Sequence, residues 1–471
     1  MPAATTAQAA RGARDTGLLA PAVRATTAGI LVAITLFAFE SLAVATALPT
    51  AARDLHGLGS YGWAFTAFLL ANVVGMVLGG GLSDRSGPRV PVLAGLAVFA
   101  VGLVVAGAAG SMGLLITGRA VQGVAAGTVT TAVYVLVGRT YPLDSQPRMV
   151  AAMSTAWVVP SLVGPVVAGV VTQHAGWRWV FLGLVPLVGV ALLLLVAALR
   201  ATGPTDAPAG EPGGAALGRR LLAALAVAAG TGSLQVAGQH PSVWSVLLGV
   251  AGLALLARAL TGLLPPGAFR LPAGVGTAVV LRGLLSAAFF GVESLVPLSL
   301  QEQHGLTPAL AGVPLTGAAV AWATGSWVVG RAPSAVRART RLVRIGFACV
   351  AAAAAGMAAA AQSSTPVPVA YAAWLLAGLG AGLGISTQSV LLLRWTTEAD
   401  RGRDSASMQL TDAVGASLGI GFGGVLVALA VAGVLSRGTA FAAVDLALAA
   451  VAATGLLLSG RLAEPPGHAP G

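Results

Sequence analysis

The sequence predicts an all-α polytopic membrane protein of about 14 transmembrane helices, with both termini cytoplasmic. Three observations predict it. Of 471 residues, 56% are hydrophobic and 9% charged, with a mean hydropathy of +0.88. A soluble domain carries roughly a quarter charged residues. The apolar residues fall into many runs of about 20, the length that crosses the hydrocarbon core as a helix. The 64 glycines suit close helix packing through small residues.

In chain order, a polar tail over 1–25 precedes spans at 26–48, 62–80, 90–109, 112–137, 149–171 and 179–199. These form a six-helix bundle over 26–199, followed by a Gly/Pro-rich cytoplasmic linker over 200–220. An inserted helix pair over 221–263 has spans at 221–237 and 243–263; the first is short and contains Gln235. A second six-helix bundle over 276–458 has spans at 276–300, 310–330, 342–361, 367–393, 405–434 and 440–458. A cytoplasmic tail over 459–471 closes the chain. Duplicated halves with a substrate site between them are a common transporter plan. A cleaved signal peptide is the rival reading of the first run, but that run is longer than a signal core and contains Glu40.

Arginine sets the orientation. Every one of the 26 basic residues is Arg. With the N-terminus inside, 21 lie in cytoplasmic segments, and only Arg53, Arg178 and Arg437 lie outside. Arg119 and Arg282 fall within spans. The inserted pair can be removed as a unit without changing this score, so the count supports an even number of helices there.

Composition also excludes chemistries. With no Lys, neither a P-loop nor a lysine Schiff base is possible. The single cysteine, Cys349, permits no internal disulfide. His56, His174, His240 and His304 fall at outer loops without metal-ligand spacing, and no nucleophile–base triad is apparent. No cofactor or metal is expected. The net charge of +11 reflects loops facing anionic membrane lipids rather than nucleic acid.

Between the second and third spans, Gly80-x-Leu82-x-Asp84-Arg85-x-Gly87-x-Arg89 places an acid and two guanidiniums in one tight turn. Asp84 suits the N–H groups of a neighbouring helix N-terminus. Arg85 and Arg89 suit a lipid phosphate or a carboxylate. Gly80 and Gly87 permit the turn. The fourth span carries Gly118-Arg119-x-x-Gln122-Gly123-x-x-Ala126-Gly127. The fifth carries Gly164-Pro165-Val-Val-Ala168-Gly169, followed by Trp177-Arg178-Trp179. The first carries Glu40 eight residues before Leu48-Pro49.

These four ordered motifs resemble those of the major facilitator superfamily, in its fourteen-helix drug:proton antiporter branch, over roughly residues 26–460. Departures are Pro88 where a base is usual, Ala168 where a glycine is common, Glu40 where an Asp is usual, and no Asp in the second-half loop at 330–337. The resemblance implies the major facilitator fold. It also implies that Gly80, Asp84, Arg85, Gly87 and Arg89 form a conformational latch, with Asp84 meeting the second half near 404–407. Gly164, Pro165 and Gly169 would form the antiporter motif, and Arg119 would take part in proton coupling.

Charges inside spans cost about 2.5–3.5 kcal/mol each even on the lenient insertion scale, and so mark function. Counting at 1.5 Å per residue puts Glu40 and Arg119 at a common depth, roughly 10–12 Å from the outer end, which predicts that they pair. Arg119 would hold Glu40 ionised until a proton or cationic substrate competes. Glu293 lies at a similar depth in the matching helix of the second half and suggests a second cation or proton site. Asp412 and Arg282 share a cytoplasmic depth and suggest a weaker pair. Phe37, Phe39, Gln122, Phe289, Phe290 and Asp412 are candidate cavity residues.

The function expected is a proton-coupled secondary transporter in the cell membrane, of bacterial plasma-membrane type, exporting lipophilic or cationic small molecules as in multidrug efflux. Its partners are the small-molecule substrate, protons and membrane lipids, without nucleic acid. The alternatives are a proton-coupled metabolite importer of the same fold and a non-transporting membrane sensor or scaffold. An intramembrane enzyme is disfavoured by the lack of a clustered nucleophile or metal set.

Overall fold

Long apolar runs in a medium without water must satisfy their backbone groups internally, and here they do so as helices. A computed structural model describes residues 18, 20, 23–142, 144–201, 214–239, 242–265, 267–333, 335–397 and 400–462. Among these, every regular element is helical. The expected tails and linker lie largely outside the described residues.

The first half comprises α1 (Arg24–Asp54), α2 (Tyr61–Ser86), α3 (Arg89–Gly107), α4 (Met112–Thr140), α5 (Gln146–Thr155), α6 (Val158–His174), α7 (Arg178–Leu182) and α8 (Val185–Ala201). The inserted pair is α9 (Gly214–Gln239) and α10 (Val243–Leu263). The second half comprises α11 (Val275–Glu293), α12 (Val296–His304), α13 (Pro308–Arg331), α14 (Val336–Ala360), α15 (Val367–Trp395), α16 (Arg401–Val431) and α17 (Arg437–Leu458). Among the described residues, thirteen stretches are long and apolar enough to cross a membrane. The remaining expected span, the tenth, is α13, whose 24 residues are long enough but include Thr316, Thr324 and Ser326.

Several spans differ from the even rods the sequence suggested. The fifth, sixth and ninth are each interrupted, between α5 and α6, α7 and α8, and α11 and α12. The first continues through Pro49 to Asp54, beyond the predicted end at residue 48. The inserted helix that looked short begins at Gly214 and runs 26 residues.

Helix starts at the arginine-poor end are capped by hydroxyls. Ser111, Ser242, Thr307 and Ser436 accept from Leu114, Ser245, Leu310 and Thr439 backbone N–H groups at 3.1–3.4 Å. Small residues then set the packing distance. A Cβ on Gly123 would stand 2.2 Å from Phe68 O, and one on Gly127 2.1 Å from Asn72 O. Both glycines let α4 lie against the backbone of α2, which is how an apolar bundle in lipid gains its packing contacts.

The inserted pair straddles both halves. Leu217 of α9 occupies the space beside Gly81 of α2, and Gln235 lies beside Gly62 of α2 and Gly421 and Gly424 of α16. Trp63 of α2 donates to Gln239 of α9 at 3.4 Å. Helix α10 packs behind α9 and leaves Val243, Trp244, Val246 and Val250 exposed.

Candidate functional site: two intramembrane ion pairs

Helices α1 and α4 bring Glu40 and Arg119 together. Arg119 Nη1 donates to Glu40 Oε1 and, at 2.7 Å, to Gln122 Oε1. Its Nε donates to Ala64 O of α2 at 3.2 Å, and its guanidinium stands 4.3 Å from the Phe68 ring centroid. The side chains are 3% and 1% exposed for Arg119 and Glu40. This burial suits an ion pair with additional hydrogen bonds, because a lone buried charge carries a desolvation cost of several kcal/mol. The satisfaction is incomplete: Glu40 Oε2 and Gln122 Nε2 are buried without a partner.

The second half has its own pair. Arg282 Nε of α11 donates to Asp412 Oδ1 of α16 at 2.7 Å, and Ser286 Oγ donates to the same oxygen. Arg282 Nη1 reaches across to α15, donating to Ile385 O at 3.0 Å and Ser389 Oγ at 3.3 Å. Gly415 of α16, where a Cβ would stand 2.1 Å from Gly283 O of α11, permits this approach. Glu293 ends α11, is partly buried, and has no hydrogen bond or ion pair among the described residues.

The aromatic candidates divide. Phe37 is buried in the first half, edge-on to Phe99 at 4.7 Å, so it packs in that bundle's core. Phe39 lies beside Gly164, partly buried. Phe289 is buried, stacked on Trp374 at 5.3 Å and edge-on to Trp322 at 5.3 Å. Phe290 is partly buried and lies 6.4 Å from Trp322. Sequence reasoning missed Trp322 and Trp374. Neither has a local signal, since a tryptophan in an apolar run reads as ordinary packing.

The halves meet at the arginine-poor end. Tyr61 donates to Ser294 O at 2.7 Å, and Arg53 donates to Glu302 Oε1 at 2.9 Å and to Gln301. Glu302 Oε2 also accepts from Arg437. Gly169 of α6 abuts α13, where a Cβ would stand 2.4 Å from Ala309 Cα. A Cβ on Gly312 of α13 would in turn stand 2.9 Å from Pro165 O. Gly164 faces the other way, toward α1, with 3.7 Å to Leu42 and Phe39. The Gly164-Pro165 segment therefore serves two contacts, one within its half and one between halves.

At the arginine-rich end, Gly87 takes a positive φ of 73° and turns the chain from α2 to α3. Gly80 lies within α2, where a Cβ would meet only Thr131 Cγ2, at 3.8 Å. Asp84 and Arg85 are exposed and Arg89 is partly exposed; none has a hydrogen bond or ion pair among the described residues. The expected contact of Asp84 with 404–407 is not formed. Asp404 instead accepts from Thr396 at 3.1 Å and Arg403 at 3.4 Å, and Ser407 donates to Leu263 O of α10 at 3.0 Å. Beyond the second-half loop, Arg339 of α14 donates to Val329 O and Ala332 O, capping the C-terminus of α13.

The profile of the Major Facilitator Superfamily matches residues 30–292. A protein of Mycobacterium tuberculosis described as a "Probable multidrug-efflux transporter" is 30% identical over 446 residues, covering 89% of this chain and 92% of its own. An Aspergillus oryzae protein described as an "MFS efflux transporter" is 34% identical over 298 residues, covering 58% of this chain and 53% of its own. A solved POT family transporter in complex with 5-aminolevulinic acid superposes with a TM-score of 0.70 at 13% identity, covering 92% of this chain and 96% of that one. The human organic anion transporter MFSD10 superposes with a TM-score of 0.60 at 13% identity, covering 93% and 99%.

Proposed function

The chain belongs to the Major Facilitator Superfamily and is a multi-pass membrane transporter, and from that premise we propose that it exports lipophilic or cationic small molecules in exchange for protons. The observation that carries the proton-coupling reading is the buried Glu40–Arg119 pair, with Glu40 Oε2 unpartnered. The M. tuberculosis relative supports export, and the inter-half contact of the Gly164-Pro165 segment supports an antiporter. The likeness to POT family structures speaks for the fold and leaves the direction of transport to these observations.

The mechanism follows from the charges. The arginine-rich end is read as cytoplasmic. With the arginine-poor end shut by Tyr61, Arg53 and Glu302, the carrier faces the cytoplasm and loads cargo. When the bundles rock to the other side, a proton from outside neutralises Glu40 and cancels its attraction to Arg119. Return to the cytoplasmic face releases that proton, and the ion pair re-forms. A ligand shifts such an equilibrium only by its differential affinity for the two states, and protonation of a buried acid supplies one. One charge crossing 100 mV yields about 2.3 kcal/mol. That sustains roughly a fifty-fold gradient of neutral cargo, at 1.36 kcal/mol per decade.

The test is dye accumulation in inside-out vesicles, with and without a proton ionophore, for the wild type and Glu40→Gln. Accumulation should collapse with ionophore and be absent in the variant. Ionophore-insensitive accumulation would reject proton coupling.

A further inference from the structure

The two ion pairs differ in accessibility. In the Arg282–Asp412 pair the side chains are 14% and 30% exposed, so the acid is the open member. Arg282 is tied down by fixed partners: its Nη1 is committed to Ile385 O and Ser389 Oγ on α15, and its Nε to Asp412 Oδ1. Asp412 Oδ1 is filled by Arg282 and Ser286, but Oδ2 holds a single long bond of 3.4 Å. Glu40 and Arg119, by contrast, are sealed. An acid within a span almost always faces the bundle interior rather than lipid, which assigns the open edge of Asp412 to the space between the helices.

Helix α11 links this edge to a pair of aromatic rings, although Ser286 and Phe289 on the linking face are themselves buried. Arg282, Ser286, Phe289 and Glu293 fall at i, i+4, i+7 and i+11, one face of the helix. One turn beyond Ser286, roughly 5–6 Å along the axis, stands Phe290 beside Trp322, both partly exposed. An accessible acid next to aromatic faces is the chemistry that holds an organic cation, through charge at one end and ring contact at the other.

We propose that Asp412 is the contact for the cationic centre of the cargo, with its ring lying against Phe290 and Trp322, while Glu40 and Arg119 handle only protons. The assignment rests on the export reading and deepens it. It places charge selection in the second half and proton exchange in the first.

Equilibrium binding to the purified full chain tests it, using ethidium as a flat cation and acridone as a flat neutral dye. The wild type should bind ethidium more tightly than acridone. Asp412→Asn should weaken ethidium at least ten-fold and change acridone less than two-fold. Asp412→Glu should keep the preference. The double variant Arg282→Gln/Asp412→Asn leaves no unpaired charge behind and should lose the preference as the single does. Retained preference in the double variant, equal loss of both dyes in Asp412→Asn, or no binding of ethidium by the wild type would each overturn the assignment. If the wild type binds ethidium with this dependence on Asp412 but vesicles do not move it, the export reading fails and the binding site stands.

Discussion

Arg53 of the first half and Glu302 of the second form an ion pair across the arginine-poor end of the molecule, at 2.9 Å. They lie 249 residues apart in the chain, and Glu302 also engages Arg437 of its own half. Arg53 is 37% exposed, so solvent screens the pair and its contribution is about 0.5–1 kcal/mol. Glu302→Gln should therefore raise the population open at this end about two- to five-fold. With Cys349 replaced by Ala, a cysteine introduced at Ser294 should be labelled by an impermeant maleimide that much faster. An unchanged rate would mean that the pair does not hold this end shut.

The buried pair responds differently to removal of either member. Arg119→Met leaves Glu40 charged and unpaired in a sealed site, which costs about 3–5 kcal/mol. Glu40→Gln/Arg119→Gln leaves neither charge and should lose much less. Thermal unfolding of the purified variants separates them. Arg119→Met should melt well below the double variant, and equal melting temperatures would show that the charges are not energetically linked.

Asp84 is exposed and without a partner among the described residues. Asp84→Asn should leave thermal stability within about 0.5 kcal/mol of wild type, as surface changes usually do. Vesicle transport by the same variant should nonetheless be lost, because the proposed latch forms when the arginine-rich end closes. Full transport activity would remove the latch.

The glycines of the fifth span have opposite tolerances. Gly164 has 3.7 Å to its nearest neighbours, and Gly164→Ala should bind dye and transport as wild type does. A methyl on Gly169 would press on the Ala309 backbone of the other half, an overpacking that costs about 1–3 kcal/mol. Gly169→Ala should thus favour opening at the arginine-poor end, read by the same Ser294 labelling. Equal behaviour of the two variants would contradict the seam described here.

Gln235 tests the inserted pair. Both of its amide atoms are buried without partners beside the Gly62–Gly424 crossing. Leaving a polar group unsatisfied costs about 1–3 kcal/mol, so Gln235→Leu should be neutral or stabilising in a melt. A marked loss of stability would show that the amide makes contacts that the static arrangement does not display.

Much of this architecture is legible in the chain because the membrane imposes simple rules. Apolar length reports the spans, arginine reports their sidedness only through loops, and a charge within a span marks itself by its cost. Glu40, Arg119, Arg282 and Asp412 are conspicuous for that reason. Glu302 is not, since an acid at a span's end is cheap and unremarked. Trp322 and Trp374 are likewise silent, because apolar runs hide which face of a helix meets which neighbour. Phe37 and Phe289 looked like a cavity wall by position and are instead packed inside their own bundles.

The sequence by itself determined that this chain is a helical, multi-pass membrane protein with a few costly charges at mid-membrane. The same charges suggested the Glu40–Arg119 and Arg282–Asp412 pairs, and tertiary structure decided what else holds them: Gln122 and Ala64 O on Arg119, Ile385 O and Ser389 on Arg282, and Ser286 on Asp412. The physical reason is that hydropathy is a local property of each segment, whereas a buried ion pair is made by two helices whose approach depends on small residues elsewhere, as that of α11 and α16 does on Gly415.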